Sequence, residues 1–352
     1  MVTELLAPMQ RRLLTLFLAW LLVPAYAQTK LTVKVDPRFE AISLFYFLAT
    51  ADTLEAADRP TPSVYYAEAK RYFQPWMQHP SLNWYRQLPK WDGMDVASQG
   101  MFLSFATPFR LVGTLAKPYV RSASAAVFLD KLNAFTLDAN TPQFLTTHRR
   151  LYQEVSATVE HDILESRILE ATQQFFGSKQ LKETVVFVDL LNNLGHNAIP
   201  STDGKCYIRL AYLADTTQHL TDASPVRFQT LVNVVAHEAA HIYTKPFISA
   251  YYARLRRIRG LFLKTTKGRD IPEAEWENEL EELLVRVCVA KILAAQNGPA
   301  RGQAEITSQA ERYKLALELH ALLEQFTANR RQYPSLESFY SQIVAFLERK
   351  AT

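Results

Sequence analysis

Val234-Val235-Ala236-His237-Glu238-Ala239-Ala240-His241-Ile242-Tyr243 holds an H-E-x-x-H pattern inside an apolar run. Phe228, Leu231, Val232, Val235 and Ile242 recur at three- and four-residue steps, the helical period. Ser224-Pro225 reads as a helix start, a Ser N-cap followed by Pro at the first helical position, and Pro246 reads as its stop. On such a helix His237 and His241 lie one turn apart on one face, so both imidazoles reach a single metal ion. Glu238 projects about 100° round, beside that ion rather than onto it. Two zinc ligands and a general base acting on zinc-bound water have this geometry.

With eight His in the chain, H-E-x-x-H arises by chance in roughly one such chain in a hundred. The competing reading is two surface histidines flanking an ordinary Glu. An apolar helix argues against it, because unpaired His and Glu are costly to bury.

A catalytic zinc usually takes three protein ligands and keeps one position open. The metzincin continuation needs Gly and His where this chain has Thr244 and Phe247, so that class is excluded. The other common solution is a Glu from a later helix, and Trp276-Glu277-Asn278-Glu279-Leu280-Glu281-Glu282-Leu283-Leu284-Val285-Arg286 supplies four. Glu277 and Glu279 suit an acidic helix N-terminus. Glu282 falls among Val285, Val289 and Leu293, where a carboxylate needs a partner, with Arg286 one turn on to hold it. Glu281 stays open as the alternative.

Upstream, Leu31-Thr32-Val33-Lys34-Val35 alternates like a strand, and Asp36-Pro37 opens a helix through Leu44-Phe45. The segment 63–85 is dense in aromatic residues, among them Tyr65, Tyr66, Phe73, Trp76, Trp84 and Tyr85, and reads as core packing rather than a substrate groove. A lone His79 before Pro80 reads as structural. The stretch 128–178 reads mainly as helices. Thr184–Val188 and Cys206–Tyr212 are β-like runs separated by turn chemistry, which predicts a hairpin before the metal helix. Downstream come a basic helix face around Arg254–Lys267, read as solvated, then helices over 273–295, 304–326 and 335–347. Cys206 and Cys288 permit either a disulfide or two separate buried thiols.

The N-terminus carries Arg11-Arg12, then an apolar run from Leu13 to Val23, then Ala25-Tyr26-Ala27. That order is a secretory signal, too short in its apolar part to span a bilayer, and predicts a mature chain from Gln28. The expected product is periplasmic or secreted, with no integral membrane segment. A formal charge of only +4 over 352 residues argues against a nucleic-acid partner.

Five stretches together resemble a known family: Val35-Asp36-Pro37-Arg38-Phe39-Glu40, Phe73 through His79-Pro80, the expected hairpin, His237-Glu238-Ala239-Ala240-His241, and Glu282-Leu283-Leu284-Val285-Arg286. It is an uncharacterised family of exported bacterial proteins, common in Bacteroidota, classed as a domain of unknown function and regarded as zincin-like. The resemblance spans roughly 31–295. It implies a gluzincin-like set of His237, His241 and Glu282, and no substrate.

The resulting expectations are a signal peptide over 1–27 and a zincin-like domain over 28–352, with 296–352 as C-terminal helices. The fold class is α+β and predominantly helical. The function expected is Zn2+-dependent hydrolysis of a peptide or protein, with Glu238 as base and His237, His241 and Glu282 as ligands. Tyr207, Tyr212, His196, Tyr251 and Tyr252 are the candidates for stabilising the oxyanion. The alternative is an envelope scaffold that binds zinc without catalysis. An intact Glu238 argues against it, as does the lack of a fourth ligand.

Overall fold

Asp36 joins the first strand to the first helix. Strand β1 (Leu31–Val35) ends there, and helix α1 (Pro37–Thr50) begins one residue later. Asp36 caps the helix: its carbonyl accepts the Glu40 N–H at 3.1 Å and its Oδ1 accepts the Arg38 N–H at 3.0 Å. In this computed structural model the described residues are 30–50, 60–87, 107–112, 122–178, 183–192, 195–199, 201, 203–213 and 219–351. The export segment 1–27 lies outside them.

The chain continues through α2 (Val64–Phe73), α3 (Pro80–Arg86), α4 (Ser122–Asp138), α5 (Thr141–Thr147), α6 (Arg149–Ser166) and α7 (Ile168–Phe176). Strands β2 (Thr184–Asp189), β3 (Asn197–Ile199) and β4 (Cys206–Ala211) follow. The C-terminal half holds α8 (Val232–Arg257), α9 (Trp276–Asn297), α10 (Pro299–Ala310), α11 (Ala316–Ala328) and α12 (Leu336–Ala351). The fold is α+β and mostly helical, with a small four-stranded sheet ahead of the C-terminal helices. No helix among the described residues is long and apolar enough to cross a membrane.

The sheet order is β1-β2-β4-β3, and it corrects the expected hairpin. β2 and β4 pair in parallel, from Thr184↔Cys206 to Asp189↔Ala211. Residues between them are numerous enough to reverse the chain twice and lay β3 antiparallel on the far side of β4, Asn197 facing Arg209 and Ile199 facing Tyr207. β2 lies between two parallel partners and every one of its residues is buried, as its unbroken Val-Val-Phe-Val run requires.

The sheet's C-terminal end is tied to the first helices by buried polar groups. Ser43 donates to Asp189 at 2.6 Å, and Arg209 Nη1 lies 3.8 Å from the same carboxylate. Glu40 accepts from the Leu190 N–H and from the Tyr65 hydroxyl, each at 2.6 Å. Burial, with Asp189 alongside, pushes the Glu40 carboxyl well above the usual range.

Two helix boundaries around the H-E-x-x-H segment depart from expectation. Ser224-Pro225 does not start α8, which begins at Val232. Ser224 closes a turn with Thr221, and its carbonyl accepts the Val64 N–H at 2.8 Å, so this stretch is committed to anchoring α2. Nor does Pro246 stop the helix. Buried Phe247, Ile248 and Leu255 hold the chain helical beyond it, and the disturbance emerges at Tyr251, whose φ and ψ are −118° and 17°. The helix expected over 304–326 is two helices, broken where the Arg312 carbonyl accepts the Thr266 N–H at 2.8 Å.

Other readings stand. Tyr65, Tyr66, Phe73 and Tyr85 are buried in the main apolar core. His79 caps α3 through Nδ1 and meets Asp138 at 3.1 Å. Around the basic face, Arg254 pairs with Glu348, Arg259 with Glu273, and Lys267 with Glu311. Cys206 and Cys288 are buried and not joined in a disulfide.

α9 runs through the centre of the helical half, with Leu280, Leu283, Leu284, Val287 and Cys288 all buried. α10 lies close against it at Gly302, where an added Cβ would sit 2.5 Å from the Ala294 Cβ and 2.6 Å from the Ala290 carbonyl oxygen.

Candidate metal centre

The inward face of α8 is anchored by Val235, Ala236, Ala239 and Ala240, all buried. That fixes the helix phase and turns His237 and His241 toward α9. Their Nε2 atoms face each other at 3.3 Å. One donor atom from each of His237, Glu238 and His241 lies within 4.8 Å of the others. From α9, Glu282 brings Oε2 to 3.4 Å from His237 Nε2 and Oε1 to 3.4 Å from His241 Nε2. The three expected ligands therefore converge from two helices.

The donor set fits a divalent cation. Two zinc–nitrogen bonds of about 2.0–2.1 Å at a tetrahedral angle place their nitrogens about 3.3–3.4 Å apart. The observed separation of the two imidazole nitrogens matches that edge. Glu282 Oε2 is buried and accepts no well-aligned hydrogen bond, although Arg286 Nη2 stands 3.0 Å away. Without a cation, two ring nitrogens and an under-satisfied carboxylate oxygen would crowd one small volume. A positive ion removes that conflict.

Glu281, left open from sequence, has a separate place. His241 Nδ1–H donates to Glu281 Oε1 at 2.7 Å, which leaves Nε2 as the nitrogen that faces His237. Glu281 therefore orients the His241 ring, while Glu282 faces the two Nε2 atoms. Arg286 holds Glu282 from one turn away and is itself bound to Gln309 Oε1 at 3.1 Å. Glu279 pairs with Arg312, away from the imidazoles.

The charges follow these contacts. Burial alone would raise the Glu282 carboxyl, yet the nearness and charge of His237 and His241 hold it far below the usual carboxylate range. Burial would lower His241, but Glu281 and Glu282 lift it to about 9. Glu238, 5% exposed, is pushed up chiefly by burial, with His237 and His241 working the other way and the Ala198 N–H donating to it. A base in this position gains proton affinity from its setting.

A cleft of about 630 Å³ opens over these residues, large enough for a short stretch of peptide. β3 and the residue before it form one side with His196, Asn197 and Ala198, and α10 and the turn after it form another with Gln309, Arg312 and Tyr313. Lys245, two turns beyond His237 on α8, also lines it. Of the five oxyanion candidates, His196 lines this cleft; Tyr207, Tyr212, Tyr251 and Tyr252 do not. His196 Nδ1 accepts the Ala211 N–H at 3.1 Å, and its Nε2 is buried without a partner among the described residues. Burial, with the charges of His237 and Arg209, takes its pKa down to about 4, so the ring is neutral. Sequence reasoning missed Arg312, Tyr313 and Gln309, because nothing local marks a distant helix as a cleft wall.

A family model described as Domain of unknown function (DUF4932) matches residues 88–346. The chain belongs to this family. The match takes in β2–β4, α8 and α9, and so every residue of the candidate centre. It extends past 295 into the C-terminal helices and leaves out residues 31–87, unlike the span of the resemblance read from sequence. No curated protein and no solved structure matches the chain.

Proposed function

We propose that this protein is a zincin-like, zinc-dependent peptidase, with His237, His241 and Glu282 as the ligands of a gluzincin-like centre. The observation that carries the reading is the pair of Nε2 atoms 3.3 Å apart with the Glu282 carboxylate at 3.4 Å from each. Zinc there would act as a Lewis acid on the scissile carbonyl and lower the pKa of water.

The chain's own groups supply the rest. Glu238 takes the proton of the attacking water on its carboxylate and passes it to the leaving amine. The Ala198 N–H fixes that carboxylate, and Glu281 fixes the His241 ring. β3 is an edge strand of the sheet and lines the cleft, which suits it to align an extended peptide by strand addition. A scaffold role with a closed four-ligand zinc needs another donor, and Glu281 is already engaged at Nδ1.

Export belongs to the same proposal, because residues 11–27 carry the features of a secretory signal. A broad peptide-library digest of the purified protein, with and without chelator, tests the function. Chelator-sensitive cleavage that returns on adding zinc supports it. Stoichiometric zinc with no cleavage of any peptide turns the assignment over to the scaffold.

A further inference from the structure

We propose that His196 is a catalytic residue, its Nε2–H donating a hydrogen bond to the scissile carbonyl oxygen as negative charge develops there. The assignment rests on the peptidase reading above and deepens it.

The tautomer is set by the fold. His196 Nδ1 accepts the Ala211 N–H, so in the neutral ring the proton resides on Nε2. That donor is buried and meets no acceptor among the described residues, an arrangement rare enough in folded proteins to call for a reason. His196 immediately precedes β3, the strand whose Ala198 N–H holds Glu238, so one short segment positions both the base and the donor. It lines the same cleft as His237, Glu238 and His241.

The other candidates are occupied elsewhere. Tyr207 donates to Asp203 at 2.8 Å, and the Tyr212 hydroxyl accepts the Arg227 N–H at 3.1 Å. Tyr252 packs its ring at a tilt against Trp276, and Tyr251 lies at the distortion of α8 beneath Arg254; neither lines the cleft. Tyr313 lines the cleft, but its hydroxyl is bound to Arg286. An acceptor arriving only with substrate, and most charged in the transition state, is what the unmet Nε2–H fits. No proton changes hands in this contact: His196 keeps Nε2–H while Glu238 moves the proton of water.

Two substitutions separate catalysis from support. His196→Asn retains an acceptor near the Nδ1 position for the Ala211 N–H and removes the distal donor. His196→Gln keeps a donor near the Nε2 position and loses the anchor. Zinc content, melting temperature, kcat, KM and affinity for a phosphinic peptide, a tetrahedral mimic, are measured on both. In His196→Asn, kcat should fall by about 10²–10³-fold with zinc content, melting and KM little changed. Phosphinic-peptide affinity should weaken alongside kcat, and His196→Gln should recover part of both. A His196→Asn protein that turns over like wild type, or a His196→Gln protein that is the weaker of the two, overturns the assignment alone. Wild-type protein that neither cleaves peptides nor binds the phosphinic mimic removes the peptidase reading, and this assignment with it.

Discussion

Glu281 and His241 are joined by a 2.7 Å hydrogen bond between neighbouring helices, with Nδ1–H of the ring donating to the carboxylate. The bond selects which ring nitrogen is left for a cation, so under the proposed function Glu281 would act on the metal through His241. Glu281→Ala should therefore lower zinc affinity about 10–100-fold without abolishing binding. Competition with a chromophoric chelator reads the constant directly. Affinity equal to wild type would show that His241 needs no such support.

Glu282→Ala should be the more severe change. It removes the carboxylate that stands 3.4 Å from both imidazole nitrogens and leaves Arg286 facing an empty place. Zinc should fail to survive desalting, whereas Glu277→Ala should retain a full equivalent. Glu279→Ala should keep zinc yet melt lower, because Glu279 is 8% exposed and pairs with Arg312. If Glu281→Ala strips the ion and Glu282→Ala does not, the ligand assignment is reversed.

Glu238→Gln preserves size and removes the proton acceptor. Zinc content should stay at wild-type level while peptide cleavage is lost, both measured on one preparation. Turnover at the wild-type rate in that variant would exclude Glu238 as the base.

Asp36 gives an acid-stability test far from the centre. It is 1% exposed, and Arg38, with Lys34, holds its carboxyl below the usual range despite the opposing effect of burial. A carboxyl depressed in the folded state contributes stability that is present above its unfolded pKa, about 3.9, and is lost as pH falls through the folded value. Asp36→Asn, which removes the carboxylate that the 5% exposed Arg38 clasps, should lower stability at pH 7. Urea unfolding at several pH values should show the gap between the two proteins narrowing as pH falls below about 4, by at most about 1.4 kcal/mol per pH unit. A gap that stays constant down to pH 2 would assign the loss to something other than this ion pair.

The convergence of the candidate site residues was legible in sequence where its information is local. His237 and His241 are four residues apart on a helix, and that spacing alone puts them on one face. Glu282 was legible because apolar neighbours made its burial expensive. Glu281 was not separable from it, since adjacent carboxylates differ by a rotation of about 100° and only packing sets the phase. Strand direction was hidden for a related reason: the β-branched, apolar run of Thr184–Val188 marks a strand, and the turn chemistry after it gives no orientation for its partner. Ser224-Pro225 has the chemistry of a helix start, but the Val64 N–H holds the Ser224 carbonyl in a turn. Pro246 carries a local penalty, and the buried side chains on either side of it outweigh that penalty.

Gly302 gives the cleft a built-in gauge. Its bare Cα lets α10 settle where a methyl would meet Ala294 and the Ala290 carbonyl, and two turns further along the same helix Gln309 reaches Arg286. Any side chain at 302 would lift the whole rod like a shim. Gln309 would draw back, the grip on Arg286 would slacken, and Glu282 would lose the hand that steadies it. The bore of the cleft and the aim of a metal ligand are thus calibrated together, by one hydrogen in the place of a carbon.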